Sequence, residues 1–183
     1  KLILVLVSDN LTDRVEKSIN KIKNLLSRYF LGLLFQITIL LIIYSIDLAI
    51  FNVENAFIIA FLCALLNLIP YLGPIIGAIL MTLLTMSSFI GADFSEIILP
   101  KTIYVMIGFL IGQLVDNFFS QPFIFSNSVK SHPLEIFIVI LASGIMLGPV
   151  GMIVGIPIYT SLKVIAQEFL PDNKIVKSLT KDF

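Results

Sequence analysis

The sequence predicts an all-α, polytopic membrane protein with two broken-helix, re-entrant hairpins in a candidate inverted repeat, and three observations carry that reading. Hydrophobic residues make up 58% of the 183-residue chain and charged residues only 13%, with mean hydropathy +1.04, whereas soluble domains are about 25% charged. Residues 29–51 and 97–120 are apolar stretches long enough to cross a hydrocarbon core about 30 Å thick. Residues 56–90 and 134–167 are apolar too, but each is cut near its middle by proline and glycine with no charge nearby.

The first cut organises the chain. Asn67, Leu68, Ile69, Pro70, Tyr71, Leu72, Gly73, Pro74, Ile75, Ile76 and Gly77 follow one another there. Pro70 and Pro74 lack an N–H and disfavour α geometry in the residue before them, while Gly73 permits positive φ. A water-exposed loop would usually carry Lys, Asp, Glu or Ser. An uncharged break is expected where irregular backbone is buried in protein within a membrane, because lipid cannot satisfy free backbone groups.

In chain order, residues 2–7 form an apolar run too short to span a bilayer. The chain starts at Lys1 rather than Met, so residues 1–28 are read as the end of a truncated element followed by an amphipathic helix. In that helix Leu11, Val15, Ile19, Ile22, Leu25, Leu26 and Tyr29 recur at helical spacing, with Arg14, Lys17, Lys21, Lys23 and Arg28 between them. Asn10, three residues before Asp13, marks its start. It lies along an anionic leaflet or packs on the rest of the protein, and its basic residues assign it to the cytoplasmic side. The second segment, 29–96, is a span plus a hairpin entered from outside. Asp47 falls near the outer end of that span, where interfacial solvation accounts for it. The arms 56–69 and 75–90 are 14 and 16 residues long, about 21 and 24 Å as helices. They form a re-entrant hairpin, or two short tilted spans around a tight loop.

The third segment, 97–169, repeats the plan from the other side. In its span Gln113, Asp116, Asn117 and Ser120 occupy i, i+3, i+4 and i+7, one polar stripe that is costly to expose to lipid. Asp116 is the best candidate for ion or solute contact, against a role in which it only bonds a neighbouring helix. A polar connection follows, with Pro122, Asn127, Ser128, Lys130, Ser131 and His132. His132 is read as a helix cap or local hydrogen-bonder rather than a proton relay. Residues 134–147 and 152–167 then flank Gly148, Pro149 and Gly151, in arms of 14 and 16 residues again. A full span followed by a broken hairpin, entered from opposite sides, is the pattern of an inverted repeat, and discontinuous helices in matching positions point to a transporter's binding site. Residues 170–183 are a cytoplasmic tail; Lys163, Lys174, Lys177 and Lys181 are read as basic residues at this end.

No GxGxxG, Walker A, CxxC, HExxH or GxSxG pattern occurs. One His and one Cys cannot furnish a nucleophile triad or a typical zinc site, so no enzymatic activity and no cofactor is expected. Cys63 is read as a small core residue. A formal net charge of zero gives a nucleic-acid partner no electrostatic support.

Leu66-Asn67-Leu68-Ile69-Pro70-Tyr71-Leu72-Gly73-Pro74, then Gln113-Leu114-Val115-Asp116-Asn117, Gln121-Pro122, His132-Pro133, Gly144, Gly148, Gly151 and Pro157 resemble, in order, the bacterial autoinducer-2 exporter family of membrane permeases. Ser131 departs from the apolar residue common before His-Pro in that family. The resemblance implies a multi-pass protein of the bacterial inner membrane, a homo-oligomer with a pentamer favoured, and further transmembrane helices before Lys1. It implies export of a small polar signal molecule in some members and exchange of sodium or lithium for protons in others. The partners expected are therefore a small polar solute or monovalent cation and membrane lipid. The binding residues expected are Asn67, Pro70, Tyr71, Gly73, Pro74, Gln113, Asp116, Asn117, Gly148, Pro149 and Gly151. The rival class is a membrane scaffold or regulator that transports nothing.

Overall fold

The computed structural model describes residues 9–121, 124, 131–173 and 176–177. The apolar run 2–7, Pro122, Asn127, Ser128, Lys130, Lys174 and Lys181 lie outside them. Every regular element among the described residues is helical: α1 (Asp9–Ile50), α2 (Ala56–Leu66), α3 (Leu72–Ser88), α4 (Leu99–Val115) and α5 (Pro133–Phe169). Two π-helical segments, Phe94–Ile98 and Asp116–Ser120, flank α4. Leu11–Ile50, Phe94–Ser120 and Leu134–Phe169 are long and apolar enough to cross a membrane.

Helix α1 joins the two segments that meet at residue 28. The amphipathic stretch and the span are one uninterrupted helix of 42 residues, about 63 Å long, twice the hydrocarbon thickness. Polarity changes at Tyr29, but no proline stands there to stop the hydrogen-bond ladder. Ser18, Leu25, Tyr29, Leu33, Gln36, Leu40, Tyr44 and Asp47 form its buried stripe. Leu31, Leu34, Phe35, Ile42 and Ile46 are exposed, as suits a lipid-facing side.

The chain divides into two compact units, residues 32–123 and residues 1–31 with 124–183. In the first, α2 and α3 fold back on one another. The Cys63 Sγ lies 3.6 Å from the Gly77 carbonyl, and a side chain on Gly73 would strike the Leu66 carbonyl. Their core contains Leu40, Tyr44, Leu48, Ala60, Cys63, Ala64, Met81, Val105 and Phe109, so Cys63 is the small core residue expected. The break between the helices is Asn67 to Tyr71, shorter than residues 67–77. Gly73, Pro74 and Gly77 belong to α3, because the first turn of a helix tolerates proline where no N–H is needed.

In the other unit α5 doubles back at Gly148. Glu135 bonds to Tyr159 and Lys163, residues that a straight helix would hold about 36 and 42 Å away. Gly151 and Gly155 let the second arm close on Ser143. Tyr29 of α1 donates to the Ile153 carbonyl (3.3 Å), and Lys21 to Gln167 Oε1 (2.6 Å), so the amphipathic stretch packs on protein here. Gly148 has φ 66° and ψ −151°, a combination essentially closed to side-chain-bearing residues. No atom would touch a Cβ there, so the cost of adding one is purely conformational. Gly148→Ala is expected to destabilise by about 1–3 kcal/mol, lowering Tm by roughly 3–10 °C in detergent. An unchanged Tm would show that the reversal does not need glycine.

Candidate functional site

Within residues 32–123, α1 and α4 meet along a polar seam rather than an apolar one. Two glycines at an i, i+4 spacing on α4, Gly108 and Gly112, permit this. A Cβ on Gly112 would collide with the Tyr44 ring, and one on Gly108 with the Asp47 carboxylate. Small residues at this spacing let membrane helices approach closely. Tyr44 stacks on Phe109 at 5.2 Å between ring centroids.

Asp47 therefore departs from the interfacial solvation expected for it. Its residue is 9% exposed and its Oδ2 carries no hydrogen bond. The close approach at Gly108 encloses it.

At the middle of the seam Gln113 Nε2 donates to the Tyr44 hydroxyl (2.8 Å) and to Asn67 Oδ1 (2.9 Å). Both amide protons are used, leaving Gln113 Oε1 buried without a donor. Asn67 Nδ2 in turn donates to the Cys63 carbonyl at 2.9 Å. The seam thus fixes the α2 end of the Asn67–Tyr71 break to α4.

One turn further along, Asp116 opens the π-helical segment, in which the Gln121 N–H bonds to the Asp116 carbonyl. Such wide turns recur at functional sites. Asp116 is 0% exposed. Its Oδ2 accepts from Gln36 Nε2 (3.0 Å) and Gln121 Nε2 (3.1 Å). Its Oδ1 has no hydrogen bond, and neither has the buried Ser120 hydroxyl, which lies beside the carboxylate without reaching bonding geometry. Gln113 Oε1, Asp116 Oδ1 and Ser120 Oγ are three buried, unpartnered oxygens at i, i+3 and i+7 on the seam-facing side, spread over about 10 Å. Buried polar atoms are seldom left unsatisfied without a functional reason.

The other expected residues are placed variously. Asn117 is exposed and accepts from Gln121 Nε2 at 2.8 Å, off the buried side of the stripe. Pro70 and Pro74 are half-buried. Tyr71 is 48% exposed, with φ 66° and ψ −46°. The Leu72 N–H bonds to the Pro70 carbonyl across it (2.8 Å), which makes a strained γ-turn with positive φ. Gly148, Pro149 and Gly151 belong to the other unit; Pro149 is exposed and Gly151 buried.

Sequence reasoning missed the seam partners Tyr44 and Gln121 and gave Gln36 no role. The Gly108–Gly112 spacing was the available signal. It also overlooked Glu135, in an arm read as apolar, and read Lys163 only as one of the basic residues leading into the tail. The Lys163 side chain is 4% exposed, 3.2 Å from Glu135 Oε2, and donates to Ser131 Oγ at 2.9 Å. The Tyr159 hydroxyl donates to the same Glu135 oxygen at 3.0 Å. His132 Nδ1 accepts from the Leu134 N–H at 3.3 Å, the local cap expected.

The sequence matches the family described as AI-2E family transporter over residues 1–170. Three similar proteins come from Bacillus subtilis (strain 168), each assigned to transport by name alone and without a named solute. YrrI is 33% identical over 145 residues, 79% of this chain and 38% of YrrI. YueF is 27% identical over 150 residues, 80% of this chain and 37% of YueF. YtvI is 27% identical over 169 residues, 92% of this chain and 42% of YtvI. The chain thus spans about two fifths of the length of these relatives. The match along nearly its whole length, with the seam and broken helices above, means that this chain belongs to the AI-2E transporter family.

Proposed function

We propose that the chain is part of a gradient-driven secondary transporter that exports a small polar solute, such as a signal molecule of the autoinducer-2 type. The carrying observation is the row of buried oxygens Gln113 Oε1, Asp116 Oδ1 and Ser120 Oγ, which lack donors. A hydroxyl-rich solute supplies such donors, and Asp116 supplies the charge that orients it. In this reading both breaks are re-entrant tips of an inverted repeat, in a homo-oligomer of the inner membrane with its C-terminus in the cytoplasm. The strained backbone at Tyr71 supports a role for that tip as a moving part.

A second reading is exchange of sodium or lithium for protons. It is favoured by the all-oxygen character of the unpartnered atoms beside one carboxylate, a donor set suited to a hard cation.

Flux from proteoliposomes containing the full-length protein tests both. Efflux of a labelled furanosyl polyol above that of empty vesicles supports the first reading, and sodium-dependent proton movement the second. Neither, with folded and oligomeric protein, would mark a scaffold or regulator. Cysteine scanning of residues 67–77 and 144–155 with impermeant reagents tests the tips: labelling from opposite faces, with shielding by solute, is expected.

A further inference from the structure

At the end of the α2–α3 pair away from the Asn67–Tyr71 break, a cleft of about 430 Å³ opens between the helices. Its walls follow the helical repeat: Ile58 and Leu62 stand one turn apart on α2, Leu84 and Ser88 one turn apart on α3, and Ile59 is the buried floor. Glu54, Asn55 and Ser87 sit at its mouth. Glu54 is the one ionisable residue among the eight that line it. Ser88 is occupied by its bond to the Leu84 carbonyl (3.1 Å), which leaves Glu54, Asn55 and Ser87 to face an occupant.

Three features define that occupant. The walls are open sideways: Ile58 is 56% and Leu62 41% exposed, and they adjoin exposed Phe57, Phe61 and Leu83, the kind of surface that meets hydrocarbon in a membrane. The mouth lies where the helices end in polar loops, at headgroup depth. Charges toward this end of the unit are Asp47, Glu54, Asp93 and Glu96 against Lys101, and Lys101 is drawn over the Phe89 ring at 4.0 Å. An anionic headgroup is therefore disfavoured and a cationic one favoured.

We propose that this cleft is a lipid site for a phospholipid with a primary-amine headgroup, its ammonium on Glu54, its phosphate accepting from Ser87 and Asn55, and one acyl chain along Ile58, Leu62 and Leu84. A primary ammonium offers three N–H donors, and a quaternary ammonium offers none. The carboxylate thus discriminates between headgroups that carry the same positive charge. The site is separate from the polar seam and does not depend on what is transported.

The test is native mass spectrometry of the full-length protein in detergent, titrated with phosphatidylethanolamine, phosphatidylcholine and phosphatidylglycerol of identical acyl chains. The first phosphatidylethanolamine adduct is expected to bind about threefold more tightly than either competitor. Glu54→Gln, at an exposed loop position, should bring it level with phosphatidylcholine. Ser87→Ala should weaken all three lipids together. Equal binding of the three headgroups, or a preference that survives Glu54→Gln, would overturn the proposal. So would displacement of phosphatidylethanolamine by soluble hexylammonium with no lipid preference, since that marks a site for a soluble amine.

Discussion

Asp116→Asn is expected to lower apparent solute affinity in reconstituted flux by about 10- to 150-fold, the range for losing a hydrogen bond to a charged group. Asparagine has nearly the same shape, and its amide oxygen can still accept from Gln36 and Gln121 as Asp116 Oδ2 does. What changes lies on the other side. The unpartnered Oδ1 is replaced by an NH₂ group that donates, and the negative charge disappears. Tm and oligomer profile should stay close to wild type, which separates loss of the site from loss of the fold. Flux with unchanged affinity and unchanged pH dependence would remove Asp116 from the mechanism. Asp116→Leu is a harsher change, because the Gln36 and Gln121 amides lose their acceptor in a buried place.

The second large effect belongs to the α5 hairpin. Glu135→Leu should destabilise by about 1–3 kcal/mol, because buried Lys163 loses its counter-charge while keeping its bond to Ser131 Oγ. Lys163 has only 4% of its side chain exposed, so it has little water to fall back on. Lys163→Leu should cost less, since the Glu135 side chain is 29% exposed and keeps the Tyr159 donor. The double replacement, Glu135→Leu with Lys163→Leu, should recover most of the loss because no buried charge remains. Thermal unfolding of the three variants in one detergent decides the matter. Equal losses for both single variants, with no recovery in the double, would mean that the pair does not fasten the hairpin.

Both breaks were legible because proline and glycine act locally, on the backbone around them. Their limits were less so: Pro74 looks like part of the interruption, yet its fixed φ suits the first turn of α3. The continuity of helix α1 through Tyr29 was not legible, because side-chain polarity changes there while the backbone bonds run on. Asp116 stood out because a carboxylate in an apolar span is rare. Its partner Gln36 did not, since 80 residues separate them and one sequence carries no record of that pairing. Glu135 and Lys163 were missed for the same reason, each being a single charge inside an apolar arm, 28 residues from its counterpart. The seam's glycines were visible, but only the collisions at Tyr44 and Asp47 reveal which helix they admit.

The turn at Gly148 also alters how the chain's topology must be counted. Taken by length and hydropathy, Leu134–Phe169 scores as one crossing. Because it reverses, residues 133 and 169 finish at the same end of the helix pair, so the segment contributes no net passage. Leu170 to Asn173 then lie at the same end of that pair as Ser131 and His132, where a single crossing would have put them at opposite ends.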